Sequence, residues 1–433
     1  MTSNNDHGDY KHSKGYSYYV FMLLFILFMF DYIDRLVIVS LFPYIKLEWG
    51  LTDTECGLFV SAVYWAQLFF AFPIAVLIDR WSRKKSIGLM AVFWSLATIV
   101  CAFTRNFAQL FTARAVIGIG EAAYAPGGAA MISALFPEKK RAMMMGIWNA
   151  AIPLGSAVGI ALGGFIAARY GWRHAFGIVA LPGLIVALLF FTVKDYKTVD
   201  LIKSDNNPSQ KEELKKKDII KKFITTPSLI FTYLGFSGNV FVTTSLLSWL
   251  PTYFHRIYDL PVEKASIKAS IVMLLAIIGA PLGGYLTDLW LKKRKNARLV
   301  FPAISSLSTA VILFISMKFF TGNTQYIILL AAGICAIMFV PAAQAVTQDV
   351  IHPGLRATSY SLCVVVQVLL GSSIGPIFTG AVSDHFGIQT AMTILPVFCL
   401  FAGILFFIGS LFYEKDLEKV EKIVLKQGLK TTN

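Results

Sequence analysis

Charge is what this 433-residue chain has little of: Asp, Glu, Lys and Arg make up 15% of it, against about 25% in an ordinary soluble domain. A water-solvated fold is excluded, because 56% of the residues are hydrophobic and no charged stretch of domain size separates the apolar runs. Cysteine is also sparse. Cys56, Cys101, Cys335, Cys363 and Cys399 stand alone without a C-x-x-C pair, which excludes a disulfide framework or a zinc site. His7, His12, His174, His255, His352 and His385 fall in the N-terminal tail or near the ends of apolar runs, with no H-E-x-x-H. There is no G-x-x-x-x-G-K-[ST], so direct use of ATP is not expected. Gly118-Ile119-Gly120 lies inside an apolar run and not after a strand, so it is no dinucleotide fingerprint. Neither a cofactor nor a metal is expected, and the chain does not read as an enzyme.

What the chain has is apolar length. A spanning helix needs about 20 mostly apolar residues, and twelve such runs can be drawn: 17–42, 54–79, 86–104, 107–135, 142–168, 172–193, 228–255, 263–290, 298–318, 325–350, 356–382 and 388–413. They fall into a first set of six at 17–193 and a second at 228–413. Between them, 194–227 is a Lys-rich cytoplasmic linker with an expected surface helix at 211–223, and 1–16 and 414–433 are polar tails. Placing the tails, the linker and the even-numbered loops on one side gathers 29 of the 39 Lys and Arg residues there. Short cytoplasmic loops retain such cations, so both termini are expected inside, with the protein integral to the plasma or inner membrane. The net charge of +14 is then a topology signal with some attraction to membrane lipid, and no nucleic-acid partner is implied.

The halves echo each other. Gly155-Ser156-Ala157-Val158-Gly159 and Gly171 recur as Gly371-Ser372-Ser373-Ile374-Gly375 and Gly387. Ile78-Asp79-Arg80-Trp81 after the second run recurs as Thr287-Asp288-Leu289-Trp290 after the eighth, each trailed by cations. The expected fold is all-α, twelve transmembrane helices in two pseudo-symmetric six-helix bundles. Repeats of this kind place a transport site between the halves near mid-membrane.

Three clusters carry chemistry. After the second run, Asp79, Arg80, Arg83 and Lys84 put a carboxylate among cations at a helix end, and Asp288 repeats it in the second half; such a cluster can latch helices in one conformational state. In the fourth run Arg114 and Glu121 are two turns apart and share a face. In the first run Asp34 and Arg35 point about 100° apart, so each needs a partner elsewhere, and Arg114 for Asp34 and Glu121 for Arg35 are the complementary charges. Ionisable groups at this depth are costly and face a cavity or a partner.

The loop at 75–85 resembles the major facilitator superfamily signature Gly-x-x-x-Asp-Arg-x-Gly-Arg-Lys, with Ala75 and Ser82 at the glycine positions. Arg114-x-x-x-Gly118-x-Gly120-x-Ala122 resembles a second signature of the same superfamily. Asp34-Arg35, Gly118 to Tyr124 and Ile152 to Gly159 through Gly171-Trp172-Arg173 are similar to the spinster-type branch. Tyr32-x-Asp34-Arg35 and Glu121-Ala122 also fit the organic-anion and sugar-acid symporter branch. The resemblance implies a major facilitator fold and a secondary active transporter working by alternating access. Its animal spinster-type members imply lysophospholipid-like or sphingolipid-like substrates.

The expected roles follow. Glu121 and then Asp34 couple protons; Arg35 anchors an anionic group of a small organic substrate, with Arg114, Tyr32 and Tyr124 beside it; Asn239, Thr243, Trp249, Gln344 and Gln367 add uncharged polar points from the second half. The expected protein is a monomer moving an anionic or amphiphilic solute together with protons. A symporter of small organic anions or sugar acids is the alternative, and a membrane sensor that binds without turnover is the alternative of another class.

Overall fold

The computed structural model describes residues 13–80, 82–122, 124–194, 223–352 and 355–428, and the regular structure among them is helical throughout. The first apolar run is α1 (Lys14–Leu36), started by a Ser13 cap and passing into a 3-10 turn at Val37–Ser40 before the short α2 (Phe42–Trp49). There follow α3 (Asp53–Arg80), α4 (Arg83–Cys101), α5 (Phe107–Glu121), α6 (Tyr124–Leu135), α7 (Glu138–Asn149), α8 (Ala151–Tyr170) and α9 (Trp172–Phe190). The second half holds α10 (Pro227–Tyr258), α11 (Val262–Leu274), α12 (Ala276–Leu291), α13 (Ala297–Phe319), α14 (Gly322–Met338) and α15 (Val340–Asp349). It ends with α16 (Arg356–Gln367), a π turn at Val368–Ser372, α17 (Gly375–Phe386), α18 (Ile388–Ile394) and α19 (Pro396–Gly428).

From Asp53 onward, eleven helical stretches are long and apolar enough to cross a bilayer. Together with α1 they correspond to the twelve runs of the sequence. Several runs are two helices and not one, and four of the interruptions lie just before Pro126, Pro341, Pro376 and Pro396. Proline withholds the N–H that the carbonyl four residues earlier requires, so the helix breaks in that turn. Large apolar side chains remain exposed along the helices, among them Phe69, Phe72, Phe103 and Ile185, a liability in water and a suitable surface in hydrocarbon.

The chain forms two compact units, Met1–Asp200 with Leu247–Leu274, and Leu201–Leu246 with Leu275–Asn433. The grouping differs from the division drawn on the sequence at one place: the end of α10 and all of α11 pack in the first unit. Asp53, 1% exposed, accepts from both arms of Arg256 at 2.6 and 2.7 Å and from Lys46 at 2.5 Å. Trp249 is buried against Phe42, with ring centroids 5.3 Å apart, and Ser266 of α11 lies against Gly164 of α8 where a Cβ would have no room. In the second unit, Leu229, Tyr233, Phe236, Leu299, Phe339 and Phe406 form the apolar core. The surface helix expected at 211–223 lies outside the described residues, apart from its last position, Phe223, which packs against that core.

Candidate functional site

The first unit buries its charges where two helices change character. α1 gives way to the 3-10 turn two residues after Arg35, and α5 ends at Glu121, next to Ala122, whose carbonyl lies four residues before Pro126 and so lacks its helical N–H partner. Asp31, Asp34, Arg35, Arg114 and Glu121 are each 6% exposed or less. Arg35 Nη2 lies 3.0 Å from Glu121 Oε2, the pairing expected from complementary charge, and 2.9 Å from Asp31 Oδ2 on its own helix. Gln67 of α3 donates to the same Glu121 oxygen at 2.9 Å. The Arg35 guanidinium carbon stands 4.6 Å from the Tyr32 ring centre and 5.5 Å from that of Tyr64, within reach of a cation–π contact.

Arg114 meets Asp34 at the main chain and not at the carboxylate. Its Nη1 donates to the Asp34 carbonyl at 2.9 Å, Nη2 to the Arg35 carbonyl at 2.8 Å and Nε to the Phe59 carbonyl at 3.2 Å. The reason is local: where α1 tightens into the 3-10 turn its last carbonyls lose their regular partners, and a cation at a helix C-terminus complements the helix dipole as well. Asp34 is fully buried, and neither of its carboxylate oxygens has a hydrogen-bond partner among the described residues. Thr98 faces it, with its own hydroxyl donated to the Trp94 carbonyl.

Aromatic side chains close this cluster on one side. Phe28 stacks on Trp148 at 4.2 Å, and Tyr124 lies edge-on to Trp94. The Tyr124 hydroxyl and the Trp148 indole both donate to the Leu24 carbonyl, at 2.6 and 3.3 Å, so Tyr124 is fixed to α1. Asp31, Tyr64, Gln67 and Trp148 are the site neighbours that the sequence reading left without a role. Asp31 carried a signal, four residues before Arg35 on one helix face, and Gln67 another, as an isolated polar residue in an apolar run.

The second unit offers polarity without charge at the positions singled out in the sequence. Asn239 donates to Ser306 Oγ at 2.8 Å, Thr243 donates to the Asn239 carbonyl at 2.9 Å and Tyr233 to the Ser359 carbonyl at 2.9 Å. Gln344 reaches Tyr360 at 3.3 Å, and Gln367 reaches Cys363 Sγ at 3.1 Å. Its acids contact helix ends: Asp349 takes Arg298 and Tyr413, and buried Asp416, within α19, accepts from the Ser228 N–H and hydroxyl at the start of α10.

The model of the Major Facilitator Superfamily matches residues 24–370. The chain belongs to this superfamily. It is 28% identical to protein spinster homolog 1 of Xenopus laevis over 98% of this chain and 87% of that one. It is 27% identical to the hexuronate transporter of Bacillus subtilis (strain 168), over 85% of this chain and 88% of the relative. The crystal structure of a bacterial homolog of the human lysosomal transporter spinster, in an inward-facing and unoccupied conformation, shares the fold. Its TM-score is 0.81 at 23% identity, over 94% of this chain and 99% of that one. This is a membrane transporter of the major facilitator fold, related to spinster proteins.

One departure from the loop signature has a local explanation, and so do the glycines that the second signature retains. Ser82, at a glycine position of the loop signature, is the N-cap of α4 and accepts from the Lys85 N–H at 3.1 Å, a role for which serine is suited. In the second signature, Gly118 sits against the Val63 carbonyl and Gly120 against Trp94, so these glycines let α5 pack on α3 and α4. The side chains of Asp79, Arg80 and Arg83 lie outside the described residues; Lys84 is half-buried, and Asp288 is exposed near the end of α12.

Proposed function

We propose that this transporter moves an organic anion, amphiphilic or small, in a cycle coupled to protons. One observation carries the reading: three acids, Asp31, Asp34 and Glu121, share a buried site with two guanidiniums, and the hydrogen bonds of one of these, Arg114, go to main-chain carbonyls. With every group ionised the cluster is one positive charge short. In a low-dielectric interior a bound proton supplies that charge at less cost than an unpaired carboxylate. Glu121 is the coupling acid in this reading, because its protonation releases its hold on Arg35, and Asp34 is the acid that holds the resident proton. Arg35 then offers a forked, permanently charged donor to a carboxylate or phosphate. The relationship to a hexuronate transporter and to spinster proteins is compatible with both a sugar acid and a lysolipid as the anion. Asn239, Thr243 and Gln367 supply uncharged contacts, Asp79 with its cations latches the cytoplasmic helix ends, and both termini face the cytoplasm.

The test is flux into sealed proteoliposomes under an imposed pH gradient, with glucuronate and a lysophospholipid as probes. Glu121→Gln is expected to abolish gradient-driven accumulation while sparing exchange of substrate for substrate. Wild-type accumulation in that variant removes Glu121 from the coupling step. Binding of a probe without flux under any gradient favours a sensor.

A further inference from the structure

Asp31 has no role in the reading above beyond its charge, yet its geometry is specific. It and Glu121 lie on different helices and contact the same nitrogen, Arg35 Nη2, at 2.9 and 3.0 Å. Asp31 is 2% exposed, its other oxygen has no hydrogen-bond partner among the described residues, and the same holds for Glu121 Oε1. Packing does not require an acid here. Gly155 and Gly159 of α8 approach the carbonyls of Met29 and Ile33, and in the second half Gly371 and Gly375 approach those of Ser237 and Phe241 in the same way. This register sets Asp31 opposite Asn239 and Arg35 opposite Thr243. The Asn239 amide fills the equivalent place with a neutral bond to Ser306, so the Asp31 charge needs another explanation.

We infer that Asp31 is the second acceptor for Arg35, the one that keeps this guanidinium when Glu121 takes up a proton. The tie between α1 and α5 then opens while the cation stays paired within its own helix. Without Asp31, protonation of Glu121 would leave Arg35 with no carboxylate contact in the bilayer interior, a costly state for a buried cation. Asp31 acts as a positioning residue for Arg35. The other groups facing the pair are Tyr32 and Asp34 on α1, Tyr64 and Gln67 on α3, and Arg114 on α5. The inference rests on Glu121 being the proton acceptor, and its test needs no substrate.

Infrared difference spectra of the full-length protein in lipid nanodiscs, recorded across pH, follow the stretching band of protonated carboxyl groups. The Glu121 component is the one lost in Glu121→Gln. In Asp31→Asn its midpoint is expected to move to lower pH by about one unit, because a competing negative charge is gone and Arg35 is left wholly to Glu121. Asp31→Glu should restore a midpoint near that of the wild type. A midpoint unmoved in Asp31→Asn overturns the inference. If Asp31→Asn does not assemble, Asp31→Ser is titrated with the same two outcomes, and failure of both to assemble makes Asp31 structural and overturns it too. A coupled titration in a protein without proton-driven flux retires the transport reading and leaves this one standing. Flux that depends on Glu121 with an unmoved midpoint does the reverse.

Discussion

The two six-helix halves are packed alike and charged differently. Gly171 and Gly387 both end their helices at positive φ, 87° and 81°, and the residues two positions on reach corresponding places: Arg173 donates to the Thr104 carbonyl after α4, and Gln389 to the Met317 carbonyl near the end of α13. The α1–α8 and α10–α17 crossings use glycines 216 positions apart against main-chain carbonyls. On this common frame the first half carries Asp31 and Arg35 where the second carries Asn239 and Thr243. Backbone approach leaves no room for a Cβ at these glycines, so both halves have glycine there; the polar positions carry no such steric constraint and differ. The difference teaches that one half concentrates buried charge at positions where the other makes neutral hydrogen bonds.

Five substitutions bear on that comparison. Arg114→Leu removes a buried cation that satisfies three carbonyls, and should cost about 3–5 kcal/mol, against about 1–2 kcal/mol for Asn239→Leu in the second half. Thermal unfolding in detergent measures both, and equal losses would break the asymmetry. Gly159→Leu and Gly375→Leu should each cost about 1–3 kcal/mol by overpacking, and unequal losses would show that the two crossings are not energetic equivalents. Asp53→Asn releases Arg256 and Lys46, which are about a third exposed, so the loss should be about 1 kcal/mol. That is roughly a five-fold gain in the opened population, read as faster labelling of the buried Cys56, one turn further along α3, by an impermeant maleimide.

The smallest effect belongs to the turn where Arg173 pairs with Glu48 at 2.8 Å. Hydrogen bonds from Arg173 and then from Trp172 hold the Glu48 carboxyl below its usual range. A carboxyl lowered on folding stabilises the folded state above its unfolded value, and the contribution is lost as pH falls through the folded one. The pair is exposed, so Glu48→Gln should cost less than about 1 kcal/mol near neutral pH. The difference in Tm between variant and wild type should close below about pH 4. A gap that persists in acid would assign the effect to packing against Trp172.

The sequence by itself determined the solvent, the number of apolar spans and the echo between the halves, because apolar length and glycine spacing are local properties written in consecutive residues. Complementary charge in the first and fourth apolar runs also offered Glu121 as a partner of Arg35, and the two lie 3.0 Å apart. Only the tertiary structure decided where Arg114 points. Two of the three carbonyls it bonds, those of Asp34 and Arg35, are orphaned by a 3-10 turn that no residue pattern announced. Tertiary structure likewise drew Gln67 to Glu121 and set Trp249 against Phe42 within the first unit. Such contacts join residues 54 and 207 positions apart, and a pattern read along one chain carries the period of each helix but not the angle at which its face meets the next.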